Sequence, residues 1–157
     1  MKGEVPLIEG VKVKQLVKHH DDRGYFAELV REDESILTQF GQMSLSMSYP
    51  ALLKPFIYHE KQDDVWFFPA GNAQVVLYDT RRSSPTYKET DVYYMGESNP
   101  IVLLIPRFVA HGYRVLGNTP LSIIYLTTHA YEKDEPDEKR IAWNDPRIGF
   151  DWNTKHY

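Results

Sequence analysis

The sequence predicts an all-β chain, a sandwich or barrel of many short strands, and three observations predict it. Runs of four to eight apolar, β-branched and aromatic residues recur along the whole chain. Clusters of Gly, Pro, Asn, Asp and Ser separate them, and a helical period of apolar residues is nearly absent.

Taken in order, residues 11–17 open the series, and 25–30 follow the turn Asp21-Asp22-Arg23-Gly24. Residues 43–49 (Met-Ser-Leu-Ser-Met-Ser-Tyr) alternate as a half-buried strand should. Then come 52–59, 65–68, 73–78, 90–95, 101–105, 110–116 and 121–128, divided by turns at 69–72, 81–85, 96–100 and 117–120. One short helix is expected at 35–40, closed by Gly41. Such a pattern favours a jelly roll whose interior can hold a ligand. In the run 52–59, alternation places Pro55, Ile57 and His59 on one side and Phe56 and Tyr58 on the other, so a single histidine looks into the fold.

The last thirty residues read differently. The segment 132–140 is densely charged and is expected to be a solvated loop. Beyond it, 141–146 and 148–152 carry Trp143 and Trp152, which are expected to clamp a tail onto the body.

The totals narrow the function. A chain of 157 residues fits one domain, 1–157, with a core of its own. A net charge of −4 with interspersed signs offers no basic stripe to a nucleic acid and no polybasic run to a membrane. No cysteine is present for disulfides or thiolate metal sites. No signal-peptide or membrane-length apolar run is seen, so the expected location is the cytoplasm.

Four motifs then fall into a known order: Asp22-Arg23-Gly24-Tyr25-Phe26-Ala27-Glu28, residues 79–86 (Asp-Thr-Arg-Arg-Ser-Ser-Pro-Thr), residues 105–113 (Ile-Pro-Arg-Phe-Val-Ala-His-Gly-Tyr) and residues 143–149 (Trp-Asn-Asp-Pro-Arg-Ile-Gly). Together they resemble the dTDP-4-dehydrorhamnose 3,5-epimerases, and the resemblance runs along nearly the whole chain. It implies a homodimeric cupin jelly-roll barrel that binds a nucleotide-diphospho-4-keto-6-deoxy sugar, needs no cofactor, and serves surface polysaccharide or deoxysugar synthesis. The implied reaction moves protons beside the ketone: a base removes one, donors hold the enolate, and an acid returns one. By the same resemblance Arg23 meets the diphosphate, Glu28 the nucleotide base, and Lys54 stands for a second phosphate-binding arginine. Gln42 and Tyr125 line the sugar pocket, as does His111, and Tyr131 is the acid.

One departure matters. Where the family carries its base in Leu-Arg-Gly-Leu-His, this chain reads Leu53-Lys54-Pro55-Phe56-Ile57, and the carboxylate that orients that base has no obvious counterpart before Tyr157. His59, two residues along the same strand face, is the nearest replacement, with His111 second. Two alternatives stay open. The spacing Ile57-x-His59, four residues, Asp64, six residues, Gly71, then His111 after Pro106 resembles a metal-binding cupin with one ligand absent, in which His59, Asp64 and His111 would hold a divalent ion. Alternatively, the fold binds a sugar nucleotide without turning it over. His19, His20, His129 and His156 show no pattern and are expected to be structural or solvated.

Overall fold

The computed structural model describes residues 5–155, so Met1 to Glu4, His156 and Tyr157 lie outside the described residues. Twelve strands are present: β1 (Lys12–Gln15), β2 (His19–Asp21), β3 (Gly24–Phe26), β4 (Gln42–Ser48), β5 (Leu53–Tyr58), β6 (Asp64–Ala70), β7 (Asn72–Asp79), β8 (Thr90–Gly96), β9 (Ile101–Ile105), β10 (Val109–Leu116), β11 (Leu121–Thr127) and β12 (Lys139–Ile141). Two antiparallel five-stranded sheets, ordered β1-β9-β6-β11-β4 and β12-β5-β10-β7-β8, face each other, and β2-β3 forms a separate hairpin. This is the expected all-β jelly roll.

Between the sheets lies a core that includes Phe68, Val75, Leu77, Met95, Ile101, Leu103, Ile105 and Leu121. Each sheet also has part of its outer face covered. Residues Leu29, Val30, Ile36 and Leu37 pack on Val65, Val102 and Leu104 of the first. The tail residues Ile148, Phe150 and Trp152 pack on Phe56, Val76, Tyr78 and Ala110 of the second. A strand covered on both faces has no reason to alternate, which explains the unbroken Ile-Val-Leu-Leu-Ile of β9.

Three expectations need correction. Residues 35–40 are turns, and no helix occurs among the described residues. Six residues close too few helical bonds to stand alone; instead Ile36 is pulled into the outer cluster and the Ser35 carbonyl accepts Lys12 Nζ at 2.8 Å. The charged run 132–140 is exposed almost throughout, yet it is not simply solvated: its end forms β12, paired with β5 through Lys139↔Tyr58 and Ile141↔Phe56. Of the two tryptophans only Trp152 is buried, and it donates to the Trp143 carbonyl at 3.2 Å while Trp143 itself stays exposed.

The 79–86 motif has a structural explanation. Asp79, fully buried, accepts Arg81 Nε at 2.8 Å, Ser84 Oγ at 2.6 Å and Thr86 Oγ1 at 2.7 Å, which folds the turn back on itself. Burial pushes its pKa up, but these donors outweigh it and hold the carboxyl at about 2.

β4 alternates as expected, but with its polar side inward. Gln42, Ser44, Ser46 and Ser48 lie on the less exposed face, whereas Met43, Leu45 and Met47, with Tyr49 just beyond, stand in solvent. Strand periodicity tells two faces apart without saying which is the inside.

Candidate active site

A cavity of about 420 Å³ opens between the sheets, within the range of small-ligand pockets. Its wall includes Pro55, Ile57 and His59, so the inward face expected for the run 52–59 is observed, and Phe56 and Tyr58 belong to the outer cluster. Pro55 sits in an interior strand, where its missing N–H is tolerated beside an irregularity: the β5-β10 register shifts between His111 and Tyr113. Gly112 permits this close approach, because a Cβ there would lie 2.9 Å from the Lys54 carbonyl oxygen.

Three strands bring the chemistry together. His59 follows β5, Asp64 begins β6, and His111 lies on β10 between Ile57 and Leu77. All three are buried, with His59 Nε2 3.4 Å and His111 Nε2 3.9 Å from Asp64 Oδ2. Asp64 is further held by Gln62 Nε2, which donates to Oδ1 at 2.9 Å, and by Trp66 Nε1, which donates to Oδ2 at 3.2 Å. Trp66 also meets the His111 ring edge-on at 5.1 Å.

Both imidazoles are fixed from behind. His59 Nδ1 is hydrogen-bonded to the Asp137 carbonyl, and His111 Nδ1 lies 3.0 Å from the Val109 carbonyl. Since a carbonyl only accepts, each Nδ1 carries the hydrogen, and in the neutral ring Nε2 is left with its lone pair. The His111 Nε2 is buried without any partner. Burial dominates at His111 and pushes its pKa down to about 4 despite Asp64, so this ring is neutral near pH 7. At His59 burial acts in the same direction, but the Asp64 carboxylate and the Asp137 carbonyl outweigh it and raise the pKa above the ordinary histidine value. Burial pushes Asp64 upward, and His59, followed by His111 and Gln62, brings it below the usual carboxylate value.

Asp137 therefore has a role that its charged surroundings concealed. Its carboxylate accepts the N–H groups of Glu60 at 2.8 Å, Lys61 at 2.9 Å and Gln62 at 3.1 Å, while its carbonyl steadies His59. One residue thus clips both the His59 ring and the loop that follows it. Nothing local in the sequence marks it, because its partners lie more than seventy positions away. Trp66 was legible in principle, being two residues from Asp64 and so on the same strand face.

Of the other residues singled out by sequence, Gln42, Lys54, Tyr125 and Tyr131 line the cavity with the trio. Gln42 Oε1 accepts the Tyr131 N–H at 2.9 Å, which ties the mouth to β4. Arg23 and Glu28 are not brought in: Arg23 is exposed and paired with Asp21 at 2.5 Å, and Glu28 is paired with Arg31 at 3.2 Å.

A jelly roll of this strand order, with a cavity between its sheets lined by imidazoles and phenols, is a cupin fold. The match to the family model described as dTDP-4-dehydrorhamnose 3,5-epimerase extends over residues 6–157, and the chain belongs to that family. Among its relatives, the spore coat polysaccharide biosynthesis protein SpsL of Bacillus subtilis (strain 168) is 68% identical over 149 residues, covering 95% of this chain and 99% of SpsL. The probable low-salt glycan biosynthesis epimerase Agl13 of Haloferax volcanii is 37% identical, covering 96% of this chain and 98% of its own length. Among solved structures, the Legionella pneumophila dTDP-6-deoxy-D-glucose-3,5-epimerase RmlC, in complex with dTDP-4-keto-L-rhamnose, superposes with a TM-score of 0.83 at 26% identity, covering 94% of this chain and 80% of that one.

Proposed function

We propose that this protein epimerises a nucleotide-diphospho-4-keto-6-deoxy sugar by proton transfer beside the ketone, in the making of a surface polysaccharide. The observation that carries the reading is the His59–Asp64 pair facing a hollow barrel end that Tyr125 and Tyr131 also line. Family membership, the SpsL and Agl13 names and the ligand of the Legionella structure agree with it.

The chemistry follows from the geometry. With Nδ1–H committed to the Asp137 carbonyl, His59 Nε2 is the atom that takes the proton, and Asp64 beside it stabilises the imidazolium so formed. The ring is oriented from behind by the Asp137 carbonyl, and Asp64, on the next strand, supplies the neighbouring negative charge. His111, neutral and with a lone pair, suits acceptance of a sugar hydroxyl better than proton abstraction. Tyr131, at the cavity wall, is the acid, and Gln42, Tyr125 and Lys54 position the sugar and its phosphate.

The reading includes a homodimer. β4 is an edge strand with an exposed apolar row, Met43, Leu45, Met47 and Tyr49, and covering it with a second copy removes both liabilities. Arg23 and Glu28, which stand outside this chain's cavity, would then exercise their diphosphate and base contacts across the dimer.

The test is mass spectrometry of a dTDP-4-keto-6-deoxy sugar incubated with the protein in deuterated water. Deuterium gain is expected, falling by about two to four orders of magnitude in His59→Asn while dTDP affinity stays within a few-fold. Intact exchange in His59→Asn removes that residue as base. Tight dTDP binding with no exchange in the wild type indicates instead a sugar-nucleotide binding protein without turnover.

A further inference from the structure

The trio of His59, Asp64 and His111 has a second use that proton transfer leaves unexplained. Proton abstraction needs one imidazole lone pair, yet two converge here on one carboxylate oxygen. Each of the three residues offers a donor atom, all lying within 4.8 Å of one another, and no other such group is found among the described residues. The His111 Nε2 is buried without a partner, an expensive condition for a polar atom unless something fills the space in front of it.

We propose that these three side chains form a site for one divalent transition-metal ion of the zinc or iron(II) class. Two neutral imidazoles and a carboxylate are donors that such ions accept, with open positions left over. An ion with bonds of about 2.1 Å holds neighbouring donors roughly 3.0–3.4 Å apart. The His59–Asp64 separation of 3.4 Å already meets this, while the His111–Asp64 separation of 3.9 Å and the full spread of the three donors, 4.8 Å, require the rings to draw in around the ion. The outer support is in place too. Both Nδ1 atoms are anchored on backbone carbonyls, so both Nε2 atoms aim at the centre, and Gln62 and Trp66 hold the carboxylate. All three residues line the cavity, so the open positions of the ion face the space where a ligand oxygen would enter.

A consequence follows for the proposed reaction. The ion takes the same His59 Nε2 lone pair that accepts the substrate proton, so an occupied site and His59 as base exclude each other. The site itself stands on the trio's geometry and is independent of the substrate; only this exclusion rests on the epimerase reading.

The experiment uses the whole wild-type chain, treated with a chelator and then titrated with Co²⁺ and afterwards Zn²⁺. Expected are a visible cobalt absorption saturating near about one equivalent per chain, its displacement by Zn²⁺, and a concentration-dependent rise in Tm. The band should disappear in Asp64→Asn and in His111→Asn. Deuterium exchange into a dTDP-4-keto-6-deoxy sugar should fall at least about tenfold on Zn²⁺ loading and return with chelator. Absence of a saturable band and of a Tm shift in the wild type overturns the site. A band with undiminished exchange overturns the exclusion. A band in a chain that shows no exchange, loaded or stripped, supports the site and overturns the epimerase reading.

Discussion

β9 and β4 belong to the same sheet and use their two faces in opposite ways. On β9 every side chain is buried: Ile101, Leu103 and Ile105 fill the barrel, while Val102 and Leu104 meet the covering segment outside. On β4 the interior side is serine and glutamine and the exterior side is methionine and leucine. A strand that sends its apolar groups outward gives up core burial. What it gains is a polar wall for the cavity, and its apolar row is left on the exposed outer face. The difference separates the part of the barrel that holds the fold together from the part that borders the hollow.

Changes on the two strands should therefore diverge. The largest effect on folding is expected from Leu103→Ala on β9, a loss of roughly 2–5 kcal/mol in urea unfolding, since a fully buried side chain leaves a cavity behind. A loss under about 1 kcal/mol would mean that the barrel centre is looser than its packing indicates.

Acid should act on a different polar group, the Asp79 turn at the end of β7. Its folded pKa, about 2, lies below its usual 3.8, so its stabilisation is complete above the unfolded value and lost as pH falls through the folded one. Asp79→Asn is expected to cost on the order of 1–2 kcal/mol at pH 7 and to flatten the fall in Tm between about pH 4 and pH 2. An unchanged slope in that window would assign acid sensitivity elsewhere.

Ser46→Leu puts hydrocarbon where β4 meets the hollow. Stability should move by less than about 1 kcal/mol, because empty space is available, while affinity for dTDP or its keto sugar drops by at least about tenfold in calorimetry. A steep loss of stability would show that the cavity is not open to new side chains.

The smallest folding effect belongs to Leu45→Lys on the outward face, within about 0.5 kcal/mol for the protomer. Sedimentation should nevertheless shift to a monomer. A dimer that persists would place the interface on another surface.

Much of this contrast was legible in the residues, and the exceptions are instructive. Alternation in 52–59 put Pro55, Ile57 and His59 on one face because strand period is local, whereas the grouping of His59, Asp64 and His111 rested on the resemblance of their spacing to a metal-binding cupin with one ligand absent. The direction in which β4 faces was not legible, since its pattern is symmetric under exchange of inside and outside. Nor was Asp137, whose bonds are made across the barrel to a loop distant in sequence. The short helix expected at 35–40 failed because burying Ile36 outweighs the few hydrogen bonds a single turn could close. The roles taken by resemblance for Arg23 and Glu28 placed two side chains that this chain's own cavity does not contain.

Asp137 emerges from the ribosome after every barrel strand that carries the trio. Until it arrives, the His59 ring lacks its rear anchor and the backbone at Glu60, Lys61 and Gln62 lacks its cap. The strands that carry the trio are thus all made before the segment that locks the His59 ring and the 60–62 backbone in place.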